Sequence, residues 1–391
     1  MRRRKNLSNK RRVRNHRPVF SKPLQIVRPI FPPIESFQTQ FARAMQAGQV
    51  TNNGPWVIEF ERQLEAYVGV PTLVFNNGQA ALMAMVKAAG VEGGEVILPS
   101  FTFPGTLHVV TWCGAKPIFA DIRPDYSFVL DPGDVERKIT SRTVAILSVD
   151  PYGVASDYEA LDAVGARHNI SVLYDSAPSF GTKVNGQRIG GFGDAQIFSF
   201  HATKAFTTME GGCLCSRDST LIERARSIRN FGLNASGDSF FAGMNGKMME
   251  ICALIGIEQL KTFETAAAVR RRSADRIRRG LEAIPGLKVG QAPATQEPIW
   301  LYLPVVIEQA EFGCNRDKLA DQLAHENLFV RKYYSPPCHH LTAYKTTGPK
   351  VSLPETENAA YNVLALPIYN NMTDDECDGI IEAFARVHAR L

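Results

Sequence analysis

Phe198-Ser199-Phe200-His201-Ala202-Thr203-Lys204, followed by Met209-Glu210-Gly211-Gly212, is the stretch on which the reading of this chain turns. Residues 196–200 form an apolar run of strand length, and a lysine stands just beyond it. Lysine is rarely buried. Where it is, desolvation lowers its pKa and makes the amine a nucleophile suited to Schiff-base chemistry. The alternative is a lysine that snorkels to the surface. The paired glycines give the turn that closes the segment.

Two earlier pieces point the same way. Val172-Leu173-Tyr174-Asp175 ends an apolar strand on a carboxylate, the place where open α/β sheets bind ligands. A carboxylate there needs a cation or donors, although a helix N-cap would serve equally. Phe75-Asn76-Asn77-Gly78-Gln79-Ala80-Ala81 crosses from strand to helix at a glycine. Free N–H groups and the helix dipole make such a start an anion site, or else it is an ordinary tight turn.

Around these pieces, strands are expected at 72–76, 95–99, 117–121, 145–150, 171–175, 196–200 and 212–216, with helices at 80–89, 157–168 and 221–230 between them. Several strands are apolar throughout, as in parallel sheets covered on both faces. Beyond Gly246 the pattern changes. Residues 248–279 read as one long or broken helix, 301–307 as a strand, 316–327 as a helix, and 373–391 as a terminal helix opened by Thr373-Asp374-Asp375.

Composition excludes several classes. The 391 residues are 45% hydrophobic and 21% charged, as in soluble globular proteins. No apolar run reaches bilayer length, and no apolar segment follows the basic N-terminus as in a secretory signal. Seven scattered cysteines fit a reducing cytoplasm better than a disulfide framework. Residues 1–17 hold nine Lys or Arg and no acid; without them the net charge of +5 becomes −4. A basic, disordered, solvated tail is expected over 1–24. Nucleic acid is not expected as its partner, because no aromatic residue is interleaved to stack on bases.

Phosphate turn, strand-end Asp175, then Lys204 with Ser199 five residues before it is the layout of fold-type I pyridoxal-phosphate enzymes. Over about residues 25–391 the chain resembles the DegT/DnrJ/EryC1/StrS family of sugar aminotransferases. The resemblance is carried by Asn53-Gly54-Pro55, Pro99-Ser100-Phe101-Thr102-Phe103, Gly193-Asp194, the Ser199-to-Lys204 block with Glu210-Gly211-Gly212, Gly243-Met244-Asn245-Gly246-Lys247-Met248, and Val330-Arg331-Lys332-Tyr333-Tyr334-Ser335-Pro336-Pro337.

What the resemblance implies is an α/β fold of the aspartate-aminotransferase type. A large PLP-binding domain with a mostly parallel sheet and an N-terminal arm (25–269) would precede a smaller α+β C-terminal domain (270–391). It implies pyridoxal 5'-phosphate as cofactor, with Lys204 its covalent holder and proton shuttle, Asp175 facing the pyridine nitrogen, Phe103 stacked on the ring, and Gly78, Gln79 and Ser199 cupping the phosphate. Asn245 matches a residue that reaches the phosphate of the neighbouring subunit, which implies a homodimer with shared sites. His201, Tyr334, His339 and Trp56 are candidates for the substrate side. No metal is expected: Cys338-His339-His340 lacks a second ligand cluster. The implied reaction moves an amino group from L-glutamate to a keto sugar, in the first instance a dTDP-linked 4-keto-6-deoxyhexose, with a 3-keto sugar as the alternative. Sugar dehydratases of the family carry His where Lys204 stands, and a non-catalytic regulatory member would not need Lys204, Asp175, Ser199 and Asn245 together.

The chain also departs from the family pattern. Ser176-Ala177-Pro178 replaces the usual Ala-Ala-Gln or Ala-Ala-His, so Ser176, Ser179 or a water is expected to stand in for a contact to the ring hydroxyl. Asn77-Gly78-Gln79 replaces Ser-Gly-Thr, and Gly246 replaces a tyrosine.

Overall fold

The computed structural model describes residues 17–344 and 351–391. Most of the expected basic tail, residues 1–16, lies outside the described residues.

Seven strands build the central sheet: β1 (Thr72–Phe75), β2 (Glu95–Pro99), β3 (Lys116–Ala120), β4 (Thr143–Val149), β5 (Ser171–Asp175), β6 (Ala195–Ser199) and β7 (Gly212–Cys215). They lie in the order β1-β7-β6-β5-β4-β2-β3. Only β7 runs against its neighbours; β6 through β3 pair in parallel. Side chains alternate between two apolar layers, as the two-residue period of a strand requires. Val96, Leu98, Ala145, Leu147, Leu173, Ile197 and Leu214 pack with helices Gly78–Ala88, Pro104–Trp112 and Ser219–Arg229. Ile97, Ile146, Val172, Tyr174, Phe198, Cys213 and Cys215 pack on the other face with helices Pro55–Val68 and Tyr158–His168. Burial on both faces explains why these strands read as continuous apolar runs.

A second, antiparallel sheet of β8 (Leu287–Val289), β9 (Tyr302–Ile307) and β10 (Val363–Pro367) packs with helices Arg316–His325 and Asp374–His388. The expected 248–279 helix is two helices, Glu250–Leu260 and Phe263–Leu281, broken at Lys261-Thr262. The second joins both layers. Phe263 and Ala267 sit in the central-sheet core, and Ala274, Ile277 and Leu281 in the C-terminal core. The terminal helix begins with a capping box between Thr373 and Glu376.

The end of the expected disordered tail is docked. Val19 N–H donates to Glu326 Oε2 at 3.0 Å, Phe20 N–H to the Glu326 carbonyl at 3.2 Å, and Leu24 N–H to the Asn327 carbonyl at 2.8 Å. Three apolar side chains, Val19, Phe20 and Leu24, give this segment its burial. Removing residues 1–16 is therefore expected to leave the melting temperature unchanged. Removing 1–24 exposes the seat of Leu24, 5% accessible, and should lower stability by about 2–3 kcal/mol, read as a denaturant-midpoint shift. Equal stabilities would show the docking to be idle.

Candidate active site

The carboxyl ends of β5 and β6, the helix that follows β1 and the residues between β2 and its helix converge on a cavity of about 440 Å³. Gly78, Gln79, Phe103, Asp175, Ser199, His201, Lys204 and Tyr334 all line it. Three elements fix its phosphate end. Asn77 caps the helix, its Oδ1 taking Ala80 N–H at 2.8 Å while its carbonyl takes Ala81 N–H. Of the four amides a helix start leaves without intrahelical partners, those of Gly78 and Gln79 remain at the cavity. Glycine is needed here for close approach: a Cβ on Gly78 would lie 2.7 Å from Ser199 Cβ, and one on Gly212 2.7 Å from the Gly78 backbone. The glycine turn thus lets the helix start sit directly on the ends of β6 and β7.

Asp175 accepts from Thr106 Oγ1 at 2.7 Å and from Ala177 N–H at 3.2 Å. Burial pushes its carboxyl up, against those donors and the opposing Lys204 charge. Lys204 sits in the turn after β6, its N–H bonded to the His201 carbonyl at 2.9 Å. Its side chain is half-buried, exposed to the cavity, and burial pushes its amine down while Asp175 pulls it back. Phe103 is 63% exposed and flanks the same space.

This donor set fits pyridoxal phosphate. A buried carboxylate with a raised pKa calls for a cationic ring nitrogen, a softened amine for a carbonyl, an exposed aromatic face for a ring, and two amides with Ser199 for a phosphate. Thr106→Val would remove the side-chain donor to Asp175. We expect cofactor affinity to fall about tenfold, the worth of one hydrogen bond to a charged group, measured by spectrophotometric titration.

His201 is held as a neighbour rather than a base. Its Nδ1 accepts from Thr203 N–H at 3.2 Å and pairs with Thr203 Oγ1 at 2.9 Å, which places the ring proton on Nε2, 3.4 Å from Glu210 Oε1. Tyr334 packs edge-on to Phe101 at 5.5 Å, and burial pushes its hydroxyl up.

Two expected site residues, His339 and Trp56, lie outside this cavity, and so does Asn245, which was expected at the neighbouring subunit's site. His339 is buried outside the cavity, Nδ1 2.6 Å from Ser100 Oγ and Nε2 3.4 Å from Glu357, because Ser100 also takes its backbone N–H and draws it inward. Trp56 sits in the first turn of helix Pro55–Val68, packed on Phe37, Leu254 and Ile255. Asn245 is exposed and away from its own chain's cavity; its carbonyl accepts from Asn76 Nδ2 at 3.2 Å. Ser176 and Ser179 do not replace the missing Gln or His. Both hydroxyls are spent on Asp150, Ser176 on its Oδ2 at 2.5 Å and Ser179 on its carbonyl at 2.9 Å, and Ala177 and Pro178 face the cavity. His339, His340 and Glu357 offer ligand atoms within 4.8 Å of one another, the group of that kind found among the described residues.

The sequence reading did not single out Thr106, Thr203, Glu210, Tyr302 or Tyr333, which also line the cavity. Thr106 could have been found, one helical turn past Phe103. Tyr302 comes from the C-terminal region and carries no local signal; Tyr333 stands in the Val330-to-Pro337 block, which marks the segment but not which of its side chains enters the cavity.

Fold and site define a pyridoxal-phosphate-dependent aminotransferase of fold-type I. The chain is 32% identical to a dTDP-4-amino-4,6-dideoxy-D-glucose transaminase of Shigella dysenteriae over 94% of this chain and all of that one. Its structure superposes on DesI, solved in the presence of its TDP-sugar product, with TM-score 0.90 and 34% identity, covering 96% and 95% of the two chains. A Streptococcus pneumoniae protein solved in its PLP form gives TM-score 0.86 and 28% identity over 94% and 99%. The protein belongs to the DegT/DnrJ/EryC1/StrS aminotransferase family, whose sequence profile matches residues 34–385.

Proposed function

We propose that the protein transfers an amino group from L-glutamate to C4 of a dTDP-linked 4-keto-6-deoxyhexose. The observation that carries this is the cavity itself, which Lys204 and Asp175 line together with the three tyrosines Tyr302, Tyr333 and Tyr334. The Shigella and DesI likenesses supply the sugar class. When bound, pyridoxal phosphate supplies an electron sink and carries the amino group between donor and acceptor. The chain does the rest. The Gly78 and Gln79 amides and Ser199 bind the phosphate, Phe103 orients the ring, and Asp175 holds a proton at the ring nitrogen. Lys204, its amine softened by burial, would take a proton from the substrate carbon and return it on the far side of the transferred nitrogen, at the carbon the cofactor supplies. Aromatic walls exclude water and offer faces to a sugar.

Mass spectrometry of products from a panel of dTDP-, UDP- and GDP-linked 3-keto and 4-keto sugars with L-glutamate tests the assignment. Amination of a dTDP-4-keto sugar alone supports it; preference for a 3-keto sugar or another nucleotide overturns it.

A homodimer with shared sites is part of the proposal. Asn245 is exposed beside Phe231, Leu233, Phe240 and Phe241, an apolar rim suited to a second copy. Mixing the inactive Lys204→Ala and Asn245→Asp variants should restore about a quarter of wild-type activity if subunits exchange freely, since each heterodimer then holds one intact site. No recovery despite confirmed exchange would put Asn245 in its own chain's site. Division into 25–269, which holds the seven-stranded sheet, and 270–391, which holds the sheet of β8, β9 and β10, and work in a reducing cytoplasm complete the reading; a small third sheet pairs Gln296–Glu297 of the second part with Lys183–Val184 of the first. The seven cysteines are all free and buried, and no helix among the described residues is long and apolar enough to cross a membrane.

A further inference from the structure

Arg270 lies in helix Phe263–Leu281 and is 4% exposed. Its Nε and NH2 groups donate to the carbonyls of Ile299, Trp300 and Leu301 at 2.8–3.3 Å. Its NH1 donates to Asn370 Oδ1 at 2.8 Å. Among the described residues no carboxylate pairs with it, so a buried cation is balanced by three carbonyl dipoles and one amide. Buried charges ordinarily find a counter-ion, and an arrangement without one calls for another reason.

The other end of the Asn370 amide supplies it. Asn370 Nδ2 donates to the Ala205 carbonyl at 2.8 Å. Ala205 is the residue after Lys204. Asn370 itself comes from the far side of the molecule, three residues past β10. On its carbonyl side, Arg270 gathers a turn in which Trp300 holds φ +46°, a left-handed conformation that a bulky residue adopts only when its surroundings impose it. That turn delivers Leu301 and Tyr302 to the cavity wall. One guanidinium and one amide therefore hold both the Lys204 turn and the Leu301-Tyr302 part of the cavity wall. Behind Lys204 a small crevice is bordered by Lys204, Thr203, Arg270, Tyr302 and Asn370.

We infer that Arg270 and Asn370 are positioning residues for Lys204, fixing the Ala205 carbonyl and with it the path of the amine. An amide suits this place because it donates and accepts at once. Ala205 needs a donor and Arg270 an acceptor, and neither a carboxylate nor an ammonium offers both.

That double demand separates positioning from mere stability. Asn370→Asp keeps the acceptor and gives Arg270 a carboxylate, but removes the donor and sets an oxygen against the Ala205 carbonyl. In the holoenzyme it is expected to melt at or above the wild-type temperature. Its kcat should nevertheless fall about tenfold with both KM values unchanged, since misplacement of a reacting group acts on the chemical step. Amide hydrogen exchange across residues 200–208 should quicken by about the same factor. Wild-type kcat and wild-type exchange in this variant would overturn the inference. Should Asn370→Asp melt early, Asn370→Ala is read at a matched interval below its own melting temperature; there a tenfold loss of kcat with faster exchange supports positioning, and wild-type values overturn it.

Discussion

Replacing Lys204 by Ala is expected to lower turnover by at least about 10⁴-fold, since one side chain is lost as both nucleophile and proton carrier. Nothing else in the cavity can stand in. His201 has Nδ1 occupied by Thr203 and its proton directed at Glu210. Tyr334 has a hydroxyl that burial keeps protonated. The variant should still bind pyridoxal phosphate through Gly78, Gln79, Ser199, Phe103 and Asp175, and equilibrium dialysis should find it. Borohydride, however, should no longer fix the cofactor to the chain. Turnover like that of wild type, or cofactor fixed elsewhere, would remove Lys204 from the centre of the mechanism.

Asp175→Asn should separate catalysis from stability. Turnover is expected to fall about 10²–10⁴-fold, because an amide cannot hold a proton on the ring nitrogen and the electron sink weakens. The cofactor-free protein should respond in the opposite sense. Burial raises the Asp175 carboxyl above its ordinary value of 3.8. A raised carboxyl favours folding at low pH, and that contribution is lost as pH rises through the folded-state value. The asparagine is neutral throughout. The two cofactor-free proteins should therefore have similar melting temperatures at acid pH, and the variant should gain on wild type as pH approaches neutral. A constant difference across pH would mean that Asp175 is not strained by burial, and the argument for a cationic partner would lose its footing.

Much of this site was legible because it is built from local patterns. Asp175 ends one strand and Lys204 stands in the turn after another, both strands visible in one dimension, and Gly78 marks a strand-to-helix crossing. The seven strands of the central sheet were legible for the same reason. β10 was missed although Val363–Pro367 is wholly buried, since a five-residue apolar run directly after a helix can be read as the continuation of that helix. His339 and Trp56 were misplaced because sequence shows a residue's chemistry but not which way it faces. Ser100 turns the histidine inward, and packing on Leu254 and Ile255 claims the tryptophan. Ser176 looked available until Asp150, buried and needing donors, took its hydroxyl. Asn370 carries no motif; its meaning exists only once Ala205 and Arg270, 165 and 100 residues away, are beside it.

The docking of residues 17–24 has a consequence for synthesis on the ribosome. Val19 waits for Glu326, 307 residues later in the chain. The Arg17 carbonyl waits for Arg386, 369 residues later. At about 5–20 residues per second, the Glu326 seat emerges about 15–60 s after the segment that fills it. Glu326 in turn is held by Arg390, a further 64 residues along the chain. The first part of the described chain to be made is thus the last to be placed. Its apolar side chains lack their seat until that later stretch has been made. Closure of this seam joins segments made far apart in time, and the docked segment cannot settle until the stretch from Glu326 to Arg390 has been made.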